Sequence, residues 1–106
     1  MRDLPIRVSR DALAAFCRRW KIDELALFGS ILRSDFGPES DVDVLAAFSA
    51  DVDWSLLDHV QMEQELASLF GRRVDLVTRR AVERSPNRAR REEILSSART
   101  LYAAAR

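Results

Sequence analysis

The chain has 106 residues, no net formal charge and a single cysteine, Cys17. This length suits one domain and is too short for two separate cores, so we expect a single domain over residues 1–106. With 47% apolar and 32% charged residues, the composition is that of a folded protein and excludes a disordered chain. One cysteine cannot form an intrachain disulfide, and no apolar run approaches the roughly 18 residues that a membrane-spanning helix needs. These features predict a cytoplasmic protein without a membrane segment.

Charge is segregated along the sequence. No lysine or arginine occurs between Ser34 and Gly71, where acidic residues concentrate, whereas eight arginines crowd residues 72–91. This pattern suits a metal-binding centre followed by a phosphate-binding flank, but it also suits a solvated helix face or a partner-binding surface. Nucleic-acid binding is disfavoured, because the whole chain is neutral and aromatic residues do not alternate with the arginines.

Apolar periodicity and turn residues divide the chain into helices and strands. The predicted elements, in chain order, are a helix capped by Ser9, a strand over 24–28, a helical turn over 29–33, a loop over 35–40, a strand over 41–48, a helix over 54–70, a strand over 72–78, a helix over 87–97 and, over 99–102, either a last edge strand or an unravelled end. This order indicates an α+β fold with helices packed on a small mixed β-sheet, although the sequence does not fix the strand directions.

The helix predicted over 54–70 should turn one apolar side toward the core. The apolar residues that share this side are Leu56, Val60, Leu66, Ala67 and Phe70. Gly71 is a typical residue just past the end of a helix.

Gly29 and Ser30 form a candidate phosphate-binding turn. Gly29 allows a tight turn from strand to helix with a close backbone approach. Ser30 lies where unpaired helix N–H groups and its own hydroxyl can bind an anion. The sequence therefore predicts that phosphate oxygens bind at this turn.

Three aspartates form a candidate metal site. In a strand, residues i and i+2 point to the same side, so Asp41 and Asp43 project together. Asp75 lies in an otherwise apolar strand, where a lone buried charge would be costly. If the two strands are neighbours, the three carboxylates converge, and divalent cations would neutralise their repulsion. Two Mg²⁺ ions about 4 Å apart could then stabilise the attacking and leaving oxygens of a phosphoryl-type transfer.

Simpler interpretations of these aspartates stay open. Asp41 and Asp43 could belong to a solvated strand end. Asp75 could be an exposed edge-strand acid or the ion-pair partner of Arg72 or Arg73.

Two other features are predicted to be structural. Asp51-Val-Asp53 repeats the pattern of Asp41 and Asp43 without an upstream Gly-Ser, and is predicted to be a loop and helix cap. His59 is alone on its helix and is predicted to be a partly buried structural histidine, not a metal ligand.

The combined motif resembles that of a known family. Gly29-Ser30, ten residues and then Asp41-Val-Asp43, followed by Val74-Asp-Leu-Val77, is similar to the minimal nucleotidyltransferases of the DNA polymerase β superfamily. The resemblance extends from the first predicted helix to residues 91–95 and implies the polymerase β-like nucleotidyltransferase fold.

The resemblance also implies roles for individual residues. It implies that Asp41 and Asp43 hold both Mg²⁺ ions, and that Asp75 binds the catalytic ion and helps to deprotonate the attacking hydroxyl. Ser30 would contact the triphosphate of ATP, and we include Gly29 and Arg33 in the same nucleotide-binding set.

Family members this short resemble the antitoxins of HEPN ribonuclease toxins. The resemblance implies an enzyme that moves AMP from ATP to a tyrosine of a cognate HEPN toxin. The shortness of the chain predicts a half-open site, which a partner or a second copy should complete. The family often continues Gly-Ser-Arg-Ala-Arg-Gly, whereas this chain has Ile31 and Ser34, so a non-catalytic antitoxin that masks its toxin is one alternative. Transfer to a small molecule or an RNA end is another, disfavoured by the shortness of the chain.

Overall fold

The computed structural model of the chain describes residues 8–34 and 36–104. Its elements, in chain order, are helix α1 (Arg10–Arg19), strand β1 (Ile22–Phe28), a 3-10 turn (Gly29–Leu32), strand β2 (Val42–Phe48), helix α2 (Leu56–Phe70), strand β3 (Val74–Thr78), short helix α3 (Arg79–Glu83), helix α4 (Arg88–Ser97) and strand β4 (Arg99–Ala103). Within the described ranges, no helix is long and apolar enough to cross a membrane. Asp35, at the start of the predicted loop, lies outside the described residues.

The strands form one mixed sheet in the order β3-β2-β1-β4. Strand β1 is antiparallel to both β2 and β4, whereas β2 and β3 run parallel. Residues 99–103 therefore form an edge strand, the first of the two possibilities that the sequence left open. The predicted α+β fold with a mixed sheet is confirmed.

Alternation along β2 gives the sheet two apolar faces. Val42, Val44 and Ala46 belong to the larger cluster, to which α1 and α2 contribute their buried side chains. Leu45 points the other way into a smaller cluster, which includes Ile94 of α4. Because Asp43 lies between two residues of the first set, it projects from the face that carries the smaller cluster.

Side-chain hydrogen bonds fix where two of the helices begin. The Ala12 N–H donates to Ser9 Oγ over 3.2 Å, which confirms the predicted cap of α1. Ser55 and Asp58 cap α2 reciprocally, each side chain accepting from the backbone N–H of the other. The segment from Asp51 to Asp53 is a loop, as predicted, but the cap of the next helix is Ser55 and neither aspartate.

The prediction for the apolar side of α2 was wrong in the first half of the helix. The side chains of Leu56 and Val60 are 79% and 41% exposed. The side that meets the rest of the molecule passes instead through His59, Met62 and Leu66, of which Met62 and Leu66 are fully buried. The apolar stripe read from the sequence was therefore rotated with respect to the observed contact face.

Helix α3 was not predicted. The Ala81 N–H donates to Thr78 Oγ1 over 3.1 Å, so the last residue of β3 also caps the following helix. With no loop between strand and helix, no cluster of turn residues marks the boundary.

Candidate active site

Asp43 and Asp75 are direct partners across the parallel strands β2 and β3. Val42 and Val44, on either side of Asp43, are fully buried, so the Asp43 carboxylate projects from the opposite face of the sheet. Asp41 lies two positions earlier, immediately before β2. The two aspartate-bearing strands are thus neighbours, and the three aspartates lie at one end of the sheet.

The electrostatic surroundings of Asp43 suit a bound cation. Burial raises the pKa of this carboxyl group above its usual value, and the negative charges of Asp75 and Asp41 raise it further. The guanidinium groups of Arg90 and Arg33 act in the opposite direction, with smaller effects. Carboxylate oxygens are the ligands that Mg²⁺ prefers, and a divalent charge would relieve the repulsion at Asp43. The donor set therefore fits Mg²⁺.

Asp41 is held by an arginine in this conformation. Its Oδ1 lies 3.1 Å from Nε of Arg73, and both side chains are about half exposed or more. Among residues 8–34 and 36–104, no three His, Cys, Asp or Glu side chains are gathered closely enough to hold a metal ion without rearrangement. For all three aspartates to share a cation, Asp41 would have to turn away from Arg73.

Gly29 permits the 3-10 turn to approach Asp43. Its φ of 77° lies in the left-handed region that favours glycine. A Cβ atom at this position would lie 3.1 Å from Cγ of Asp43 and still closer to its carboxylate oxygen. Ser30 follows within the turn, and its carbonyl oxygen accepts a hydrogen bond of 2.9 Å from the Arg33 N–H.

A cleft of about 420 Å³ opens beside Asp43. Its walls combine apolar, cationic and anionic side chains. The lining residues are Phe28, Gly29, Leu32, Arg33, Asp43, Arg90, Glu93, Ile94 and Ser97. Of the six residues predicted for the site, Gly29, Arg33 and Asp43 therefore line this cleft, whereas Ser30, Asp41 and Asp75 lie next to it in the chain or in the sheet.

Two arginines of the basic segment donate hydrogen bonds to the backbone of the loop that leads to Asp41. Arg73 donates from Nη2 to the Glu39 carbonyl oxygen over 3.2 Å. Arg72 donates from Nη2 to the carbonyl oxygens of Gly37 and Ser40, at 2.6 and 2.7 Å. Its guanidinium also lies 4.5 Å from the centre of the Phe36 ring.

Neither Arg72 nor Arg73 forms an ion pair with Asp75 within the described residues. One simpler interpretation of Asp75 is therefore wrong, whereas its exposure at an edge strand is observed.

The strand that carries Asp75 is also secured from its outer edge. The Leu76 N–H donates to Glu63 Oε2 over 2.7 Å, and His59 Nε2 lies 2.9 Å from the Leu76 carbonyl oxygen. His59 is 27% exposed, which agrees with the predicted structural role. Both hydrogen-bonding groups of this backbone position are thus satisfied by α2.

A larger cavity of about 660 Å³ lies near the other ends of β2 and β3. It is lined by parts of the loop before α2 and by Arg79 and Arg80, and by none of the six predicted site residues. Its size alone does not make it the reactive centre, because the paired carboxylates lie elsewhere.

Arg90 and Glu93 line the cleft but were not predicted as site residues from the sequence. They belong to a helix that the sequence did predict, but the basic segment offered several equivalent arginines. A usable signal was the four-residue spacing from Arg90 to Ile94, the one fully apolar buried position of α4. Helical neighbours of that kind share a face.

A mixed sheet with a glycine turn beside paired carboxylates is a scaffold for binding phosphate and metal. Residues 9–101 match the nucleotidyltransferase domain family, and the chain belongs to that family.

The proteins similar to this chain include a protein adenylyltransferase and a minimal nucleotidyltransferase of known structure. The protein adenylyltransferase MntA of Thermococcus cleftensis is 37% identical over 65 residues, which are 61% of this chain and 64% of that protein. The chain thus spans less than two thirds of the curated relatives that it matches. A solved structure of a protein taken to be a minimal nucleotidyltransferase is 35% identical, with 84% of this chain and 85% of that chain covered and a TM-score of 0.64.

The fold is also found in a toxin–antitoxin complex. A chain from the structure of the tri-AMPylated Shewanella oneidensis HEPN toxin with its MNT antitoxin is 22% identical and has a TM-score of 0.58. The match covers 90% of this chain and 70% of that chain. At this level of identity the likeness establishes the fold.

Proposed function

We propose that this protein transfers AMP from ATP to a protein hydroxyl group, most specifically to a tyrosine of a cognate HEPN-type ribonuclease toxin, and so acts as its antitoxin. The observation that carries this proposal is the register of β2 and β3, which sets Asp43 directly opposite Asp75 beside the Gly29 turn. Membership of the nucleotidyltransferase family and the similarity to a named protein adenylyltransferase support it.

The reaction assigns a task to each end of the aspartate set. The acceptor oxygen attacks the α-phosphorus of ATP, the bond from that phosphorus to the bridging oxygen breaks, and pyrophosphate leaves with the bonding electrons. Asp75 is the more exposed of the paired carboxylates and can take the proton of the incoming hydroxyl. Arg33 lines the cleft and Ser30 follows Gly29 in the 3-10 turn, so both are suited to the triphosphate.

Asp41, Asp43 and Asp75 are the residues that would hold divalent metal. Bound Mg²⁺ would neutralise the negative charge that the triphosphate carries during the transfer. Asp43 already experiences unfavourable burial and repulsion. Asp41 would move from Arg73 as the site fills.

A protein acceptor fits the openness of the site. The 3-10 turn and α4 form walls of the cleft beside Asp43. Asp41 and Asp75, next to the cleft, are exposed to solvent. A bulky acceptor can therefore approach the aspartates without passing through a tunnel. The AMP-carrying HEPN toxin in the similar complex makes a toxin of that class the first partner to test.

The test is the intact mass of a candidate HEPN-type partner, taken from a neighbouring gene or co-purified with this protein, after incubation with this protein, ATP and Mg²⁺. We expect one or more AMP additions on a tyrosine, and none with Asp43→Asn. Asp53→Asn is the matched control, because it has the same local sequence pattern but lies in a loop away from the cleft. Equal AMP addition by wild type and Asp43→Asn would overturn the assignment of the site.

A masking antitoxin without transfer is the second candidate. The pairing of Asp41 with Arg73 and the burial of Ile31, where the family often has arginine, favour it. It predicts a stable complex in which the mass of the partner does not change and toxin activity is still suppressed by Asp43→Asn.

A further inference from the structure

Arg90 differs from the other arginines of helix α4 in what surrounds it. Arg88 forms an ion pair with Glu92 at 3.0 Å, and Arg91 donates from Nη1 to the Ser85 carbonyl oxygen over 2.7 Å. Among the described residues, the guanidinium of Arg90 has neither an ion pair within 4.0 Å nor a side-chain hydrogen bond. It lines the cleft that contains Asp43.

The position of Arg90 is fixed by the helix that carries it. Its backbone N–H donates to Oδ1 of the cap residue Asn87 over 3.1 Å, so Arg90 belongs to the first turn of α4. Ile94, one turn later on the same side, is buried against the cluster that includes Phe28. The packing of Ile94 therefore directs the Arg90 side of the helix toward the sheet and the cleft.

The charges of the cleft suit a polyanion bound together with a cation. Arg33 lies at the end of the 3-10 turn and Arg90 in α4. The positive charges of both act to lower the pKa of Asp43, against the larger effects that raise it, so both charges act on that carboxylate. Glu93 adds a second carboxylate to the lining. A triphosphate with its metal can pair with both guanidinium groups through its phosphate oxygens and with the Asp43 carboxylate through the metal.

We propose that Arg90 binds the β- and γ-phosphates of the nucleotide, the part that leaves as pyrophosphate. This inference rests on the proposed function, because it requires the cleft beside Asp43 to be the nucleotide site. Arg90 is suited to this task, because a guanidinium presents two N–H donors to phosphate oxygens at once and stays charged at any physiological pH. It would hold the leaving group from the α4 side, while Arg33 lines the same cleft from the end of the 3-10 turn.

The first test is calorimetric binding of ATP and of AMP to the protein with Mg²⁺ present and no acceptor protein. For Arg90→Gln we expect affinity for ATP to fall about tenfold, the loss typical of a charge-assisted hydrogen bond, and affinity for AMP to change little. Arg88→Gln is the matched control, because it removes an arginine two positions away that is paired with Glu92. Arg90→Lys should retain part of the affinity for ATP, since lysine keeps the positive charge but cannot present two N–H donors in the planar geometry of a guanidinium.

The outcomes separate this inference from the function on which it rests. Wild-type ATP affinity in Arg90→Gln would overturn the role of Arg90 and leave the proposed function standing. Equal losses in Arg90→Gln and Arg88→Gln would also overturn it, because a general effect of positive charge would then explain both. Failure of the wild-type protein to bind ATP at all would overturn the proposed function, and the role of Arg90 with it. Thermal unfolding of each variant confirms that the helix is intact.

Discussion

A Cβ atom on residue 29 would overlap Oδ2 of Asp43. The backbone of the turn therefore packs directly against the side chain of Asp43, the second residue of β2. The same turn requires a positive φ, so two separate demands select glycine here.

Gly29→Ala is expected to destabilise the fold by about 1–3 kcal/mol, from backbone strain and from the displacement of Asp43. If Mg²⁺ and ATP bind as proposed, they raise the Tm of the wild-type protein, and we expect Gly29→Ala to lose this rise. Thermal unfolding with and without Mg²⁺ and ATP measures both effects.

Gly71→Ala is the control for Gly29→Ala. Gly71 has a φ of 69°, but a Cβ atom there would meet nothing within 4 Å. It should therefore lose stability through strain alone and keep the full ligand-dependent rise in Tm. If the two variants showed the same rise in Tm with Mg²⁺ and ATP, the contact of Gly29 with Asp43 would not be needed for ligand binding.

Asp43→Asn is expected to keep or raise the Tm at pH 7 by up to about 4 °C, a gain below about 1 kcal/mol for a chain of this size. The pKa of Asp43 is raised above its usual 3.8, so the folded protein holds this proton more tightly than the unfolded chain does. The ionised carboxylate thus costs stability at neutral pH, and that cost disappears as the pH falls through the raised pKa to below 3.8.

The pH dependence tests this sign. The difference in Tm between Asp43→Asn and wild type should shrink as the pH is lowered from 7 toward 4. If Asp43→Asn were less stable than wild type at pH 7, this would contradict the inference that burial and the neighbouring aspartates make the ionised Asp43 unfavourable.

Glu63→Ala is expected to destabilise the protein by about 1–3 kcal/mol, because the Leu76 N–H would lose its acceptor. Hydrogen exchange at the Leu76 amide should accelerate. Glu63→Gln retains a side-chain oxygen that can accept the same bond, so it should restore most of the protection. If Glu63→Gln exchanged as fast as Glu63→Ala, the contact would depend on charge and not on the hydrogen bond.

Leu66→Ala and Leu57→Ala test the observed orientation of α2. Leu66 is fully buried, so its truncation should cost about 2–5 kcal/mol. Leu57 is 81% exposed, and its truncation should change stability by less than about 0.5 kcal/mol. Urea unfolding of the two variants gives both values, and comparable losses would mean that the helix packs with a different face.

The sequence predicted the elements of the sheet but not their neighbours in space. Alternation around Asp43 and the apolar run around Asp75 identified both strands. That β2 and β3 are parallel, with these two aspartates in register, depends on the path of α2 between them, which local patterns do not encode. The candidate site was therefore predicted as a set of residues, and the structure supplied their arrangement.

Where the prediction failed, one helix had two plausible apolar sides. Leu56 and Val60 lie at helical spacing from Ala67, as Met62 does from Leu66, and the observed burial of Met62 decides between the two sides. Arg90 was missed for a similar reason. In a segment rich in arginine, the residue that enters the cleft is selected by the burial of Ile94, a tertiary contact.

The contacts of His59 and Glu63 with Leu76 also decide how this sheet can associate with other chains. A strand at the edge of a sheet presents unpaired N–H and C=O groups that can recruit a strand from a neighbouring molecule. At the centre of β3 both groups are already engaged by α2, so strand addition there would require the helix to be displaced. Among the described residues, β4 forms the opposite edge of the sheet, and strand addition there would leave α2 in place and Asp75 accessible.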